Sequence, residues 1–345
     1  MGGNAFSDVL PDDAFPRIPS DVYNGLKTQI TTQLRLLFAV VETPREAPEK
    51  PDHGDIDFTV FGSKDGTVTH QRVREAIGAE HAVEMAGNRT SNYAIPSRTD
   101  PGRYHQIDVH ICDTEEELER IVFFNSYGDL GMLLGLLARA HGLSLGTKGL
   151  KILAPQADET HPPSFHLSSN FHDIMPFYGL SMDTRMKGFN TQESVFEWVS
   201  TSRFYDPRRL SDPKGRENER KRRSMYQAFL GYSRHHLNSG GFDTSKPSLI
   251  PEDIIQESLV YFDRKDEYDE IVRTNRNRRA LKEKFNGTLI MEWTGLYGKP
   301  IREVMDGMKA RIGEGGIVAS DLNTLRELAR EVQTELGLNL PASAT

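Results

Sequence analysis

At 345 residues, with a net charge of -8, 37% hydrophobic and 27% charged residues, the chain is long enough for two or three packed units and too acidic overall to coat nucleic acid with its whole surface. No stretch approaches the roughly 18 consecutive apolar residues of a membrane span, which argues against an integral membrane protein. The single cysteine, Cys112, rules out an intrachain disulfide and a cysteine-rich zinc site and favours a reducing compartment.

The opening MGGNAFSDVL has neither the basic nor the apolar region of a secretion signal, so an intracellular, cytoplasmic location is expected. After a Pro- and Asp-rich leader over 1–19, Ser20 can cap a helix with Val22, Leu26 and Ile30 at helical spacing. Residues 36–41 read as a buried strand. Pro44, Pro48, Pro51 and Gly54 make 42–54 a loop.

From Asp55 to Phe61 the pattern alternates, with Asp55, Asp57 and Thr59 on one face and Ile56, Phe58 and Val60 on the other. A helix is expected over 70–80, with short strands near 82–86 and 92–95. Tyr104 to Cys112 alternates again, opposing Gln106, Asp108 and His110 to Ile107, Val109 and Ile111. Thr114 and Glu117 form a capping box for a helix towards Phe124.

Beyond that point strand signals nearly vanish. An apolar helix over 130–140 ends near Gly142, 154–192 reads mostly as loop, and helical patterns recur at 195–199, 217–237, 252–284, 299–311 and 320–336. The expectation is an α+β chain: an N-terminal α/β unit followed by an all-helical half.

The informative constellation is Asp55 and Asp57 on one expected strand with Asp108 on another. Carboxylates at i and i+2 point the same way, and a third on a neighbouring strand completes a cluster. Three close anions repel unless a cation is present, and oxygen ligands suit Mg²⁺ or Mn²⁺. Asp is disfavoured in strands, so a pair flanked by Ile56, Phe58 and Val60 needs a reason beyond propensity.

The segments DHGDIDFTVFG and YHQIDVHIC resemble, in order and separation, the carboxylate motif of the DNA polymerase β superfamily of nucleotidyltransferases. Within it the chain is similar to the poly(A)-polymerase and CCA-adding branch, and more so to phage-encoded nucleotidyltransferases, through GGNAF, HGLSLGTKGLKI, FYGL, GFNTQESVFEWV and FNGTLIMEWTGLYGKPI. The resemblance implies a mixed-sheet catalytic domain over 1–120, a helical domain over 121–240 completing a cleft, and a C-terminal helical region over 241–345. It implies metal-dependent transfer of a nucleoside monophosphate from an NTP to an acceptor hydroxyl, here an RNA 3′ end without a template. Asp55, Asp57 and Asp108 would be both catalytic and metal ligands. Where the superfamily has Gly-Ser ahead of the first aspartates, this chain has Glu42-Thr43, leaving Thr43 to offer a hydroxyl to the nucleotide.

Lys148 and Lys151 are the candidate phosphate contacts, and Ser126 is a further hydroxyl, more in keeping with a helix cap. Basic clusters at 203–223 and 273–284, the first including Arg222 and Arg223, lie in sequence beside Phe204, Tyr205 and Tyr226 and suit a single-stranded acceptor through phosphate attraction and stacking. The opposing reading is a solvated helix face paired with nearby acids. His161, His166 and His172 lack the paired helical spacing of a zinc site. Trp198 and Trp293 are expected in cores. Rival readings are a nucleotidyltransferase acting on a protein or small molecule, and a non-catalytic nucleotide- or RNA-binding protein.

Overall fold

A computed structural model describes residues 4–66, 68–84, 89–154, 161–210 and 223–338. It is mixed α+β, with a five-stranded mixed sheet in the N-terminal part and helices at the C-terminal end.

The first helix, α1 (Ser20–Leu34), buries Tyr23, Ile30 and Leu34. Its N-cap is Pro19, and Ser20 falls within the helix. Strand β1 (Ile18–Pro19) pairs with β3 (Asp52–His53), so a short piece of the expected loop is extended. The alternating segments become β2 (Phe38–Glu42), β4 (Asp55–Ser63), β5 (His81–Glu84), β6 (Thr90–Pro96) and β7 (Tyr104–Ile111). Their order in the sheet is β2-β4-β7-β6-β5. Only β4 and β7 run parallel, as strands joined by a long crossover can. That crossover contains α2 (His70–Ile77), capped by the Thr69 side chain.

One face of the sheet is apolar. Ile56, Phe58, Val60, Tyr93, Ile95, Ile107 and Val109 pack there with Tyr23, Ile30 and Leu34 of α1 and Val73 and Ile77 of α2 in a single core cluster. The opposite face carries the aspartates. Helix α3 (Glu115–Asn125) follows β7, with the Thr114 hydroxyl accepting from the Glu117 amide as the capping motif predicts, and it packs against β4. Apolar on nearly every side, α4 (Leu130–Arg139) buries Leu130, Leu133, Leu134, Leu136 and Leu137.

The region after α4 is not all-helical. Strands β8 (Leu143–Gly146), β9 (Gly149–Leu153) and β10 (Ser164–Ser168) form a three-stranded sheet in the order β10-β9-β8. A side chain at Gly149, whose φ is +94°, would collide with the Ser168 carbonyl, so this close crossing requires glycine. The expected loop over 154–192 also contains α5 (Phe171–Phe177) and α6 (Met182–Lys187), capped by Asn170 and Ser181. Helix α7 (Gln192–Ser200) buries Trp198, and α8 (Ser224–Asn238) and α9 (Pro251–Tyr261) follow.

Two compact units result: 1–152 with 166–262, and 153–165 with 263–345. In the second unit, α10 (Lys265–Lys284), α11 (Gly287–Thr294), α12 (Lys299–Ala319) and α13 (Leu322–Glu335) enclose a core of Phe285, Ile290, Trp293, Val304, Met308 and Leu325. Among the described residues no single helix is long and apolar enough to cross a membrane.

Candidate carboxylate site

Parallel pairing sets Asp57 opposite Asp108 and Asp55 opposite Gln106. Paired residues of a parallel ladder share a face, and side chains alternate along a strand. Asp55, Asp57 and Asp108 therefore project from one side of the sheet, away from the core. Among the described residues no group of three or more Asp, Glu, His or Cys side chains is placed to hold a metal ion. What the register supplies is three carboxylates on one face of the sheet, oxygen donors of the kind that Mg²⁺ and Mn²⁺ prefer.

The electrostatics agree with this grouping. Burial pushes Asp57 up to about 6, and the charges of Asp55 and then Glu46 add to the effect. Asp108 is pushed up to about 7, first by burial and then by Asp57. Asp57 is nonetheless open to solvent.

Asp108 is held from two directions. Gln106, buried and two residues earlier on β7, donates to Asp108 Oδ1 at 2.8 Å. Asn92, buried on β6, is its cross-strand partner. With the amide oriented to satisfy both groups, Asn92 donates to the two Asp108 oxygens at 2.8 and 3.3 Å. Both amides fall on the polar face by the same alternation that revealed the aspartates, and Gln106 stands in that pattern.

A second set of neighbours comes from the Pro-rich segment. Glu46 accepts from Tyr23, lies 3.2 Å from His53 Nδ1 and accepts from Lys50 at 3.3 Å. The rings of Tyr23 and His53 stack at 3.7 Å. Burial, then Glu46, drives the Tyr23 phenol well above its usual range, and burial lowers His53. Lys50 lowers Asp57. The i,i+4 spacing of Glu46 and Lys50 was the available signal, hidden among prolines.

The remaining candidates separate. Lys148 and Lys151 belong to the β8–β9 hairpin, where Lys151 pairs with Ser144 and the Lys148 carbonyl lies 3.2 Å from His166 Nε2. Among the cations acting on Asp57, Lys50 has the largest effect. Thr43 follows β2, whose last residue, Glu42, pairs with Thr59. Ser126 ends α3, donating to the Val122 carbonyl at 2.6 Å and accepting from the Arg45 amide at 3.0 Å.

Arg222 lies outside the described residues. Arg223 pairs with Asp129 at 2.8 Å. Arg203 and Arg208 pair with Glu257 and Asp206, and Arg273 and Arg279 pair with Glu270 and Glu283. Phe204, Tyr205 and Tyr226 are buried, so they pack the interior and cannot serve as the stacking platform expected beside the basic cluster.

Comparison with models of known protein families and with curated proteins returns no match.

Proposed function

We propose that the chain is a divalent-metal-dependent nucleotidyltransferase that moves a nucleoside monophosphate from an NTP to an acceptor hydroxyl and releases pyrophosphate. The observation that supports this most is the register pairing of Asp57 with Asp108, with Asp55 on the same face. Asp55 and Asp57 would hold both ions, Asp108 the one nearer the attacking hydroxyl, and Asn92 with Gln106 would orient Asp108. Bound there, divalent ions supply charge neutralisation for the polyphosphate and a lowered pKa for the attacking hydroxyl.

An RNA 3′ end is the acceptor implied by the sequence resemblance. The pairing of Arg223 with Asp129 and the burial of Tyr205 and Tyr226 favour a second reading, in which the same chemistry acts on a protein or small-molecule hydroxyl. Incubation with Mg²⁺, each labelled NTP and separate RNA, DNA and protein acceptors distinguishes the two. Label transferred to RNA supports the first reading, and label on protein alone supports the second. Nucleotide binding without pyrophosphate release on any acceptor would leave a non-catalytic binding protein.

A further inference from the structure

Beside the aspartates' sheet, within the first unit, lies an open cavity of about 920 Å³ lined by Arg45, Arg120, Tyr127, Phe171 and Arg185 among others. None of Asp55, Asp57 or Asp108 lines it. A cavity of this size accommodates a small organic ligand.

Its cations are unusual. Arg185 is only 6% exposed, and among the described residues its Nη1 has no hydrogen-bond partner. Nη2 donates to the Phe123 carbonyl, and the guanidinium lies 3.7 Å over the Phe123 ring, which stacks at 4.3 Å on Phe171. Among the described residues Arg120 has a buried Nε without a hydrogen-bond partner, while its charge helps lower Glu116. Arg45 donates to the Tyr127 hydroxyl at 2.7 Å, and both Arg45 and Arg185 lie within 6 Å of the Tyr127 ring centre. Among the described residues none of the three has a carboxylate within ion-pair distance.

The balance of charge decides what this cavity is suited to hold. Cation–π contacts offset only part of the cost of burying an unpaired charge. Burial lowers Arg185 to about 10 and Arg45 opposes its charge further, yet it remains charged at neutral pH. The acids on the same wall, Glu42, Glu115, Glu116 and Glu119, are all exposed, so water screens them more than it screens Arg185. Guanidinium forks match the tetrahedral oxygens of phosphate, and a dianion answers more than one cation.

We propose that this cavity is a phosphate site that takes a phosphate monoester, with the ester's phosphate on Arg45, Arg120 and Arg185 and its body along the Phe123–Phe171 wall. It needs no divalent ion, and it does not depend on the nucleotidyltransferase reading.

Calorimetric titration of the full chain in EDTA, with AMP, inorganic phosphate and adenosine as separate ligands, tests this. AMP is expected to bind and adenosine not to. Arg45→Gln and Arg120→Gln, each checked for folding by thermal denaturation, are each expected to weaken AMP by about tenfold, as loss of a charge-assisted contact does. Asp57→Asn is expected to leave it unchanged. Inorganic phosphate competing with AMP supports the site and identifies free phosphate as a second source. Three results overturn the proposal: no binding of either anion, adenosine binding as tightly as AMP, or arginine variants that bind like the parent. Binding that appears only with Mg²⁺ and vanishes in Asp57→Asn also overturns it, while leaving the carboxylate site standing.

Discussion

Asp57 and Asp108 stand opposite each other on the only parallel strand pair of the five-stranded sheet. Burial pushes Asp57 up to about 6, with the charges of Asp55 and then Glu46 adding to it, and pushes Asp108 up to about 7, with Asp57 adding to it.

This has a pH signature. In the unfolded chain both groups lose their protons near pH 4, while the folded protein holds them to about 6 and 7. Between those values the folded state binds more protons, so stability of the ion-free protein falls as pH rises from 4 to 7 and then levels off. Asp108→Asn should raise ion-free stability at pH 8 by on the order of 1 kcal/mol, discounted for the solvent that reaches the pair. It should change little at pH 4. Urea denaturation in EDTA at the two pH values measures the difference.

Asn92 and Gln106 act through Asp108. Removing either donor leaves the carboxylate less well held, and outer contacts of this kind typically change metal affinity by about 10- to 100-fold. Asn92→Ala and Gln106→Ala should weaken Mn²⁺ within that range. Each should also move the pH at which Mn²⁺ binding is half-maximal upwards, because each donor favours the ionised form. A loss of affinity with no change in the pH midpoint would mark the amides as packing residues only.

Phe58 follows Asp57 on β4 but faces the core, and is 1% exposed. Phe58→Ala should cost about 3–5 kcal/mol of stability. Chemical denaturation monitored by circular dichroism checks this, and a cost below about 1 kcal/mol would mean that the core does not back the site.

Arg223 and Tyr226 converge on Asp129, the arginine at 2.8 Å and the backbone amide at 3.2 Å. Charge reversal at Arg223 should therefore lower stability by about 1 kcal/mol, by opposing a largely buried carboxylate. Thermal denaturation of Arg223→Glu measures it. If RNA affinity drops while the melting temperature is unchanged, the side chain serves the acceptor rather than α8.

The sheet was legible because period-two alternation survives in segments with one buried face, and Asp55, Asp57 and Asp108 interrupt apolar runs that would otherwise read as core. Register was not legible, since no local pattern states that β4 neighbours β7. The three later strands were missed for a different reason. Leu143 and Leu145 alternate with Ser144, and Phe165 and Leu167 with His166, but the runs are short and lie among Gly, Ser and Pro, where turn signals dominate. Nor does composition say which side of a basic cluster its aromatics face. Phe204, Tyr205 and Tyr226 went inward because burying an aromatic ring outweighs leaving it in water. Glu46 and Lys50 reach the site through tertiary folding of a Pro-rich segment, which periodicity cannot anticipate.

Asp55, Asp57 and Asp108 are expected to bind a divalent ion together. Mn²⁺ titration followed by electron paramagnetic resonance at pH 8 tests it directly, with the parent chain beside folded Asp57→Asn and Asp108→Asn. Saturable binding that weakens by at least about 100-fold in each variant is the expected result. Equal binding by all three proteins, or none by the parent, would contradict it.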